Sequence, residues 1–75
     1  MKVWIVSRGE KHEGVSPRSV HRYKLSAVKA ALAEKTHFPG GWVKDMDGYT
    51  DARGIDERWV NGCDVVQVQR HEVVE

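Results

Sequence analysis

The feature that most constrains the fold of this chain is a hairpin signal near its C-terminal end. Asn61-Gly62 stands between two runs of β-favouring residues, 58–60 and 63–68, and both turn residues tolerate the positive φ of a two-residue type I′ turn. The register that this turn predicts has three pairs: Val60 with Cys63, Trp59 with Asp64, and Arg58 with Val65. Apolar side chains then emerge on both faces of the ribbon, so one face requires a helix and the other is expected to need a partner.

A second hairpin is predicted at the N-terminal end. The continuous apolar run at residues 3–6 is typical of a strand inside a sheet. Residues 8–14 are polar and bounded by glycines, which favours a loop or a hairpin tip. The returning limb, residues 15–23, contains Ser16-Pro17, and proline cannot donate to a strand ladder. This limb is therefore expected to be an edge strand or to begin only near Ser19.

A single helix is predicted between the two hairpins. Ser26 is placed to cap it, and residues 27–35 are rich in helix formers, with Val28, Ala31 and Leu32 on one stripe. The run of proline and glycine at residues 39–41 ends the helix. The aromatic residues that flank this break, Phe38 and Trp42, are expected to close the core at the helix end.

The stretch from residue 44 to residue 56 has no clear period and contains the acids Asp45, Asp47, Asp51 and Asp56. In a compact domain a loop of this length tends to be mobile or functional. The remaining connections are short, which favours antiparallel pairing. The predicted fold is thus a single α+β domain over residues 1–75: an antiparallel four-stranded sheet in the order β-β-α-β-β, with one helix packed on one face.

The size of the chain limits the classes of protein to which it can belong. With 75 residues and one cysteine, Cys63, it offers a small core and no intramolecular disulfide, which fits a reducing compartment. No apolar run approaches the roughly 18 residues of a membrane span, and the start lacks the layout of a signal peptide. We expect a soluble protein in the cytoplasm of the host cell, without membrane contact.

No motif in the sequence specifies catalysis, a metal or a cofactor. Residues 45–56 fail the EF-hand pattern, because Tyr49 takes the fifth position, Thr50 the sixth and Asp56 the twelfth. The four histidines and Cys63 lack the spacing of zinc sites. Cys63 has no assignable base, and a half-buried hydrophobe is the simpler interpretation. The prediction is therefore a protein that is not an enzyme and holds no cofactor.

Charge is unevenly distributed along the chain. Residues 1–36 carry eight Lys and Arg against three Glu, a net charge of +5, whereas residues 37–75 carry a net charge of −4. The halves either attract each other within the fold or form a bipolar surface that docks on a charged macromolecule. The candidate contact residues are the basic Arg18, Arg22, Lys24 and Lys29 and the acidic Asp45, Asp47 and Asp51.

Three tryptophans, Trp4, Trp42 and Trp59, are many for a core of this size. An exposed tryptophan is more often an interface anchor than an incidental feature. One helix shields one face of a sheet, so an apolar stripe is expected on the other face. We therefore predict a homodimer, or failing that a hetero-interface, with Trp4 or Trp59 near its centre.

Three segments carry a resemblance to a known group of proteins. They are Val-Trp-Ile-Val-Ser-Arg-Gly-Glu at residues 3–10 with His12-Glu13-Gly14, Tyr23 leading into an alanine-rich helix, and Trp-Val-Asn-Gly-Cys-Asp-Val-Val at residues 59–66. Over most of its length the chain resembles small uncharacterised domains encoded by phages and prophages. The resemblance implies a phage accessory protein. Orphan proteins of this kind include inhibitors of bacterial defence systems, such as anti-CRISPR proteins.

The leading hypothesis from the sequence is a non-enzymatic binding protein of phage type. It would attach to a host protein or ribonucleoprotein complex, for example a CRISPR effector, and block the access of nucleic acid. The alternative is a small protein that binds nucleic acid directly through the basic strand-helix region. A small enzyme is the least favoured hypothesis, because the chain offers no set of nucleophile, base and orienting group.

Overall fold

The computed structural model describes residues 1–36, 40–45 and 54–74. Its elements are β1 (Lys2–Glu10), β2 (Gly14–His21), α1 (Lys24–Thr36), β3 (Val43–Lys44), β4 (Ile55–Asn61) and β5 (Asp64–Glu72). The strands form one antiparallel sheet in the spatial order β2-β1-β5-β4-β3. The α+β class and the single helix on one face are confirmed. The predicted count of four strands is wrong, because β3 adds a fifth strand beside β4.

The first and last strands form the centre of the sheet. β1 and β5 pair over nine positions, from Lys2 with Glu72 to Glu10 with Asp64. The prediction that β1 lies inside the sheet is thereby confirmed. β2 lies at an edge, as its proline predicted, and Pro17 pairs next to an irregularity in the β1–β2 register. Proline is tolerated on an edge strand and beside a bulge, because some of the N–H groups there are not needed by the ladder.

The first hairpin turn is shorter than the predicted loop at residues 8–14. β1 continues through Gly9 to Glu10, and only residues 11–13 form the turn. Gly14, with a φ of 84°, then begins β2. The interpretation of the glycines as loop boundaries is wrong for Gly9, which is a strand residue that the neighbouring backbone approaches closely.

The C-terminal hairpin exists, but its turn lies one residue later than predicted. Asn61 pairs with Asp64, and the two turn residues are Gly62 and Cys63. Gly62 has a φ of 63°, and no residue type other than glycine has a positive φ in the described part of the chain. Glycine alone at the first turn position fits a type II′ turn rather than type I′. The observed register pairs Val60 with Val65 and Trp59 with Val66.

The helix begins earlier than predicted and presents a different face to the sheet. The carbonyl of Tyr23 accepts the N–H of Ala27, so Ser26 lies inside α1 and is not its cap. Ala27 and Ala31 are the buried residues of the helix, whereas Leu32 from the predicted stripe is exposed. Small side chains let the helix axis approach the strands closely, and this places the leucines on the outside.

The core lies between α1 and the centre of the sheet. It consists of Val6, Ala27, Ala31, Val66 and Val68, with Trp4, Ala30, Trp42 and Trp59 packed against it. Trp42 lies at the helix end as predicted, and its indole N–H donates to the carbonyl of Lys35 at 3.1 Å. Phe38, the other predicted plug, lies outside the described residues.

The face opposite the helix is concave rather than flat. A Cβ built on Gly9 would come within 2.1 Å of the Gly14 carbonyl oxygen and 2.7 Å of Val15 Cα, so the start of β2 lies close over the end of β1. On the same face Val65 and Ile55 are buried. Part of the apolar stripe expected on this face is therefore covered, whereas Val3, Ile5 and Val60 on the same face remain partly exposed. The exposed valines on it, Val20 and Val43, lie on the edge strands β2 and β3.

Candidate functional site

Three large apolar side chains are exposed on the outer side of α1 and just before its start. Tyr23, Leu25 and Leu32 have relative exposures of 65%, 69% and 47%. Leu25, Lys29 and Leu32 are spaced four and three residues apart, so they form one stripe of the helix. The stripe points away from the sheet, because Ala27 and Ala31 occupy the inner side.

Three cations lie on the same helix or just before it. Arg22, Lys24 and Lys29 are exposed, and none of them makes an ion pair with another residue of the described ranges. Their charge is therefore available to a partner. We call Arg22, Tyr23, Lys24, Leu25, Lys29 and Leu32 the helix outer surface. Three of its members, Arg22, Lys24 and Lys29, were predicted contact residues.

Arg18, the fourth predicted basic contact, has a different role. Its Nε is 3.3 Å from Glu34 Oε1, and Arg8 Nη1 is 2.9 Å from the other oxygen of the same carboxylate. The three residues belong to β2, α1 and β1. Arg18 thus contributes to the attachment of the helix to the sheet, whereas Lys29 makes no ion pair with a described residue.

The acidic residues predicted to contact a partner are less available. Asp45 Oδ2 is 3.3 Å from Arg58 Nη1, and Asp45 is only partly exposed. Asp47 and Asp51 lie outside the described residues. The charges of the two sequence halves do meet within the fold, at the Met1 amino group with Glu72. The other five ion pairs of the described ranges each join residues of the same half.

All three tryptophans lie around the core rather than on an open surface. Trp4 and Trp59 are partly buried on the face that carries α1, where they pack against the core cluster. The ammonium of Lys35 lies 4.4 Å from the ring centroid of Trp59, and the indole of Trp42 is bonded to the end of the helix. The interface of a dimer formed through the opposite face would therefore include Val20 or Val43 and would not include Trp4 or Trp59. Self-association stays a prediction that sedimentation at micromolar concentration tests.

One pair of polar residues was missed by the sequence analysis. Ser19 Oγ and His21 Nε2 are 2.7 Å apart on β2. Residues two apart on a strand share a face, and this spacing is the one feature of the sequence that could have indicated the pair. A nucleophile and base also need an orienting group, and in the described ranges no such third residue is bonded to His21.

The same ranges contain no cluster of three or more His, Cys, Asp or Glu side chains with metal-binding geometry. Cys63 is an exposed thiol at the hairpin turn.

Among the described residues no helix has the length and apolar character to cross a membrane. No protein-family model matches the chain, and comparisons with curated proteins and with solved structures find no significant match.

Proposed function

We propose that this protein is a non-enzymatic binding protein that attaches to a macromolecular complex through the helix outer surface. The observation that carries the proposal is the combination of exposed Leu25, Leu32 and Tyr23 with cations that make no ion pair in the described ranges. Exposed apolar groups on one side of a helix favour contact with a partner. Tyrosine and arginine are also enriched among the residues that dominate binding energies.

The charge of the surface indicates the chemistry of the partner. Arg22, Lys24 and Lys29, which make no ion pair within the described ranges, favour an acidic surface and would accelerate the encounter with it through electrostatic steering. The leucines need an apolar depression on that surface. An acidic protein surface with an apolar groove fits both requirements.

The specific form of the proposal is a phage-type inhibitor of a bacterial defence complex, for example an anti-CRISPR protein that blocks the access of nucleic acid to its effector. Its support is the sequence resemblance together with the binding surface. A basic surface does not match the positively charged channel in which such effectors hold nucleic acid. The contact would therefore fall on an acidic protein surface near the channel, and the inhibitor would obstruct the channel sterically.

Direct binding of nucleic acid is the second candidate function. Tyr23 lies in sequence between Arg22 and Lys24, and all three are exposed, so a base could stack on the ring while the cations contact phosphates. Such binding would weaken steeply with salt, with a logarithmic slope of about −0.9 per neutralised phosphate on duplex DNA. A gel-shift series at low salt with single-stranded and duplex probes tests it, and the absence of a shifted band would exclude it.

The principal experiment measures binding of target DNA by the host's defence effectors with and without the protein. Inhibition by the unaltered protein, lost in Lys29→Glu and in Leu25→Ser, is the expected result. Lys2→Glu is the matched control, because Lys2 is also exposed but lies on β1. The absence of inhibition across the effectors of the natural host would contradict the inhibitor. Equal effects of the Lys29 and Lys2 variants would contradict the helix outer surface as its site.

A further inference from the structure

A cavity of about 390 Å³ opens on the concave face of the sheet, opposite α1. Its apolar lining includes Val15, Ile55 and Val65, and its polar lining includes Lys11, Arg58 and Gln67. The volume lies at the lower end of the range of small-molecule sites. The cavity is separate from the helix outer surface, so a ligand in the cavity would bind independently of the proposed function.

Two polar side chains in this cavity are largely buried and use little of their hydrogen-bonding capacity. The side chain of Arg58 is 15% exposed, and its one ion pair among the described residues joins Nη1 to Asp45 at 3.3 Å. The Nε of Arg58 is buried and has no hydrogen-bond partner among the described residues. Burial of an unpaired donor on a charged group is unfavourable and is seldom seen without a compensating partner.

The second polar group is Gln67, which lies directly across from Arg58 in the β4–β5 register. Its relative exposure is 8%, and its amide makes no side-chain hydrogen bond within the described ranges. The two side chains point to the same face because paired residues share a side of the sheet. A guanidinium and a carboxamide with unused donors therefore lie side by side, and apolar groups flank them.

We propose that this cavity binds a small aliphatic carboxylate. The planar carboxylate would accept hydrogen bonds from the guanidinium of Arg58, which matches its geometry, and from the amide N–H of Gln67. The aliphatic part would lie against Val15, Val65 and Ile55. The single negative charge fits better than the double charge of a phosphate, because Asp45 contacts the same guanidinium and Glu10 lies in the lining. Side-chain adjustment of Arg58 is part of binding, since its Nε is buried.

The test uses NMR titration of the full chain with hexanoate as the probe. The expected result is saturable movement of the Arg58 Nε–H and Gln67 amide signals together with the methyl signals of Val65 and Ile55. Acetate supplies the charge without the chain, 1-hexanol the chain without the charge, and inorganic phosphate a different anion. Each of the three is expected to bind at least about tenfold more weakly than hexanoate. A loss of about tenfold corresponds to the loss of one charge-assisted hydrogen bond or of the contacts of the aliphatic chain.

Two variants locate the site. Gln67→Leu keeps the size of the side chain and removes the amide, and Arg58→Met removes the charge; each is expected to weaken hexanoate binding about tenfold or more. Lys2→Gln, an exposed change on β1, is the control and leaves the affinity unchanged. If the Arg58→Met protein does not fold, the hexanoate affinity of Gln67→Leu still tests whether the cavity is the binding site.

Several outcomes would overturn the proposal. One is the absence of saturable movement with hexanoate, and another is a folded Gln67→Leu protein that binds hexanoate as tightly as the unaltered protein does. Equal binding of 1-hexanol would identify an apolar site without anion recognition, and tighter binding of phosphate would identify a different anion site. Each of these results contradicts an aliphatic carboxylate held by Arg58 and Gln67.

Discussion

The indole N–H of Trp4 donates a 2.7 Å hydrogen bond to the carboxylate of Asp56, although the two residues are 52 positions apart in the sequence. The second oxygen of that carboxylate is 3.3 Å from Arg70 Nη1. Asp56 lies at the irregularity between Ile55 and Glu57 at the start of β4. One side chain therefore joins β4 to β1 and β5 at the end of the sheet where the chain enters its last hairpin.

Replacement of Asp56 by Ala is expected to lower the free energy of unfolding by about 1–3 kcal/mol, because it leaves a partly buried indole N–H without its acceptor and Arg70 without its ion pair. Asp56→Asn retains an acceptor for Trp4 and should cost less than Asp56→Ala. Urea denaturation measures both. A double-mutant cycle with Trp4→Phe isolates the hydrogen bond, and strictly additive effects of the two changes would show that the bond does not contribute to stability.

Gly62→Val is expected to destabilise the protein by more than about 1 kcal/mol, since a β-branched residue resists the positive φ of the first turn position. Asn61→Val serves as the comparison. Asn61 has a negative φ and belongs to β4, so that change should cost clearly less. In a type I′ turn over Asn61-Gly62 both changes would be costly. Melting temperatures of the two variants therefore distinguish the two turns, and an unchanged value for Gly62→Val would contradict both.

The hairpin illustrates what local sequence can and cannot determine. Asn61-Gly62 and Gly62-Cys63 both supply a glycine for a two-residue turn. Turn chemistry alone is therefore compatible with two registers of the β4–β5 pairing. The observed register places Trp59 beside Val66, whereas the predicted one places it beside Asp64. In the observed register Trp59 and Val66 are neighbours that both pack in the core beneath α1, and that core includes residues distant in sequence.

Gly9→Ala is expected to be among the most damaging conservative substitutions in the chain. The added Cβ would meet backbone atoms, the Gly14 carbonyl oxygen at 2.1 Å and Val15 Cα at 2.7 Å, and backbone cannot rotate away as a side chain can. Overpacking of this kind typically costs about 1–3 kcal/mol. Gly41→Ala is the matched control, because no atom of the described residues lies within 4 Å of a Cβ at that position. Equal unfolding free energies for the two variants would contradict the close approach of β2.

Parts of the fold and of the candidate site were predictable from sequence because the signals are local. The apolar run of β1, the edge position of Pro17 and the end of the helix follow from the properties of single residues and their neighbours. β3 was not predictable, since a strand of two residues has no period. The exposure of Leu25 and Leu32 was also missed. An apolar stripe on a helix is normally assigned to the core, whereas here the alanines on the opposite side pack on the sheet.

The carboxylate of Glu34 is expected to stabilise the attachment of α1 more through Arg8 than through Arg18. Both arginines contact it, at 2.9 Å and 3.3 Å, but the side chain of Arg8 is 27% exposed and that of Arg18 is 48% exposed. Water screens the more exposed pair, and pairs of that kind contribute about 0–1 kcal/mol. Glu34→Gln should therefore lower the free energy of unfolding, with most of the loss assigned to Arg8.

Double-mutant cycles separate the two contributions, and they also cancel the other interactions of Arg8. The coupling of Glu34→Gln with Arg8→Gln should exceed its coupling with Arg18→Gln. Raising the salt to about 1 M shortens the screening length to about 3 Å, so the Arg18 coupling should vanish while part of the Arg8 coupling persists. Lys24→Gln, a change on the same helix without an ion pair in the described ranges, should show no coupling to Glu34. Equal couplings for Arg8 and Arg18 at both salt concentrations would mean that burial does not distinguish the two pairs.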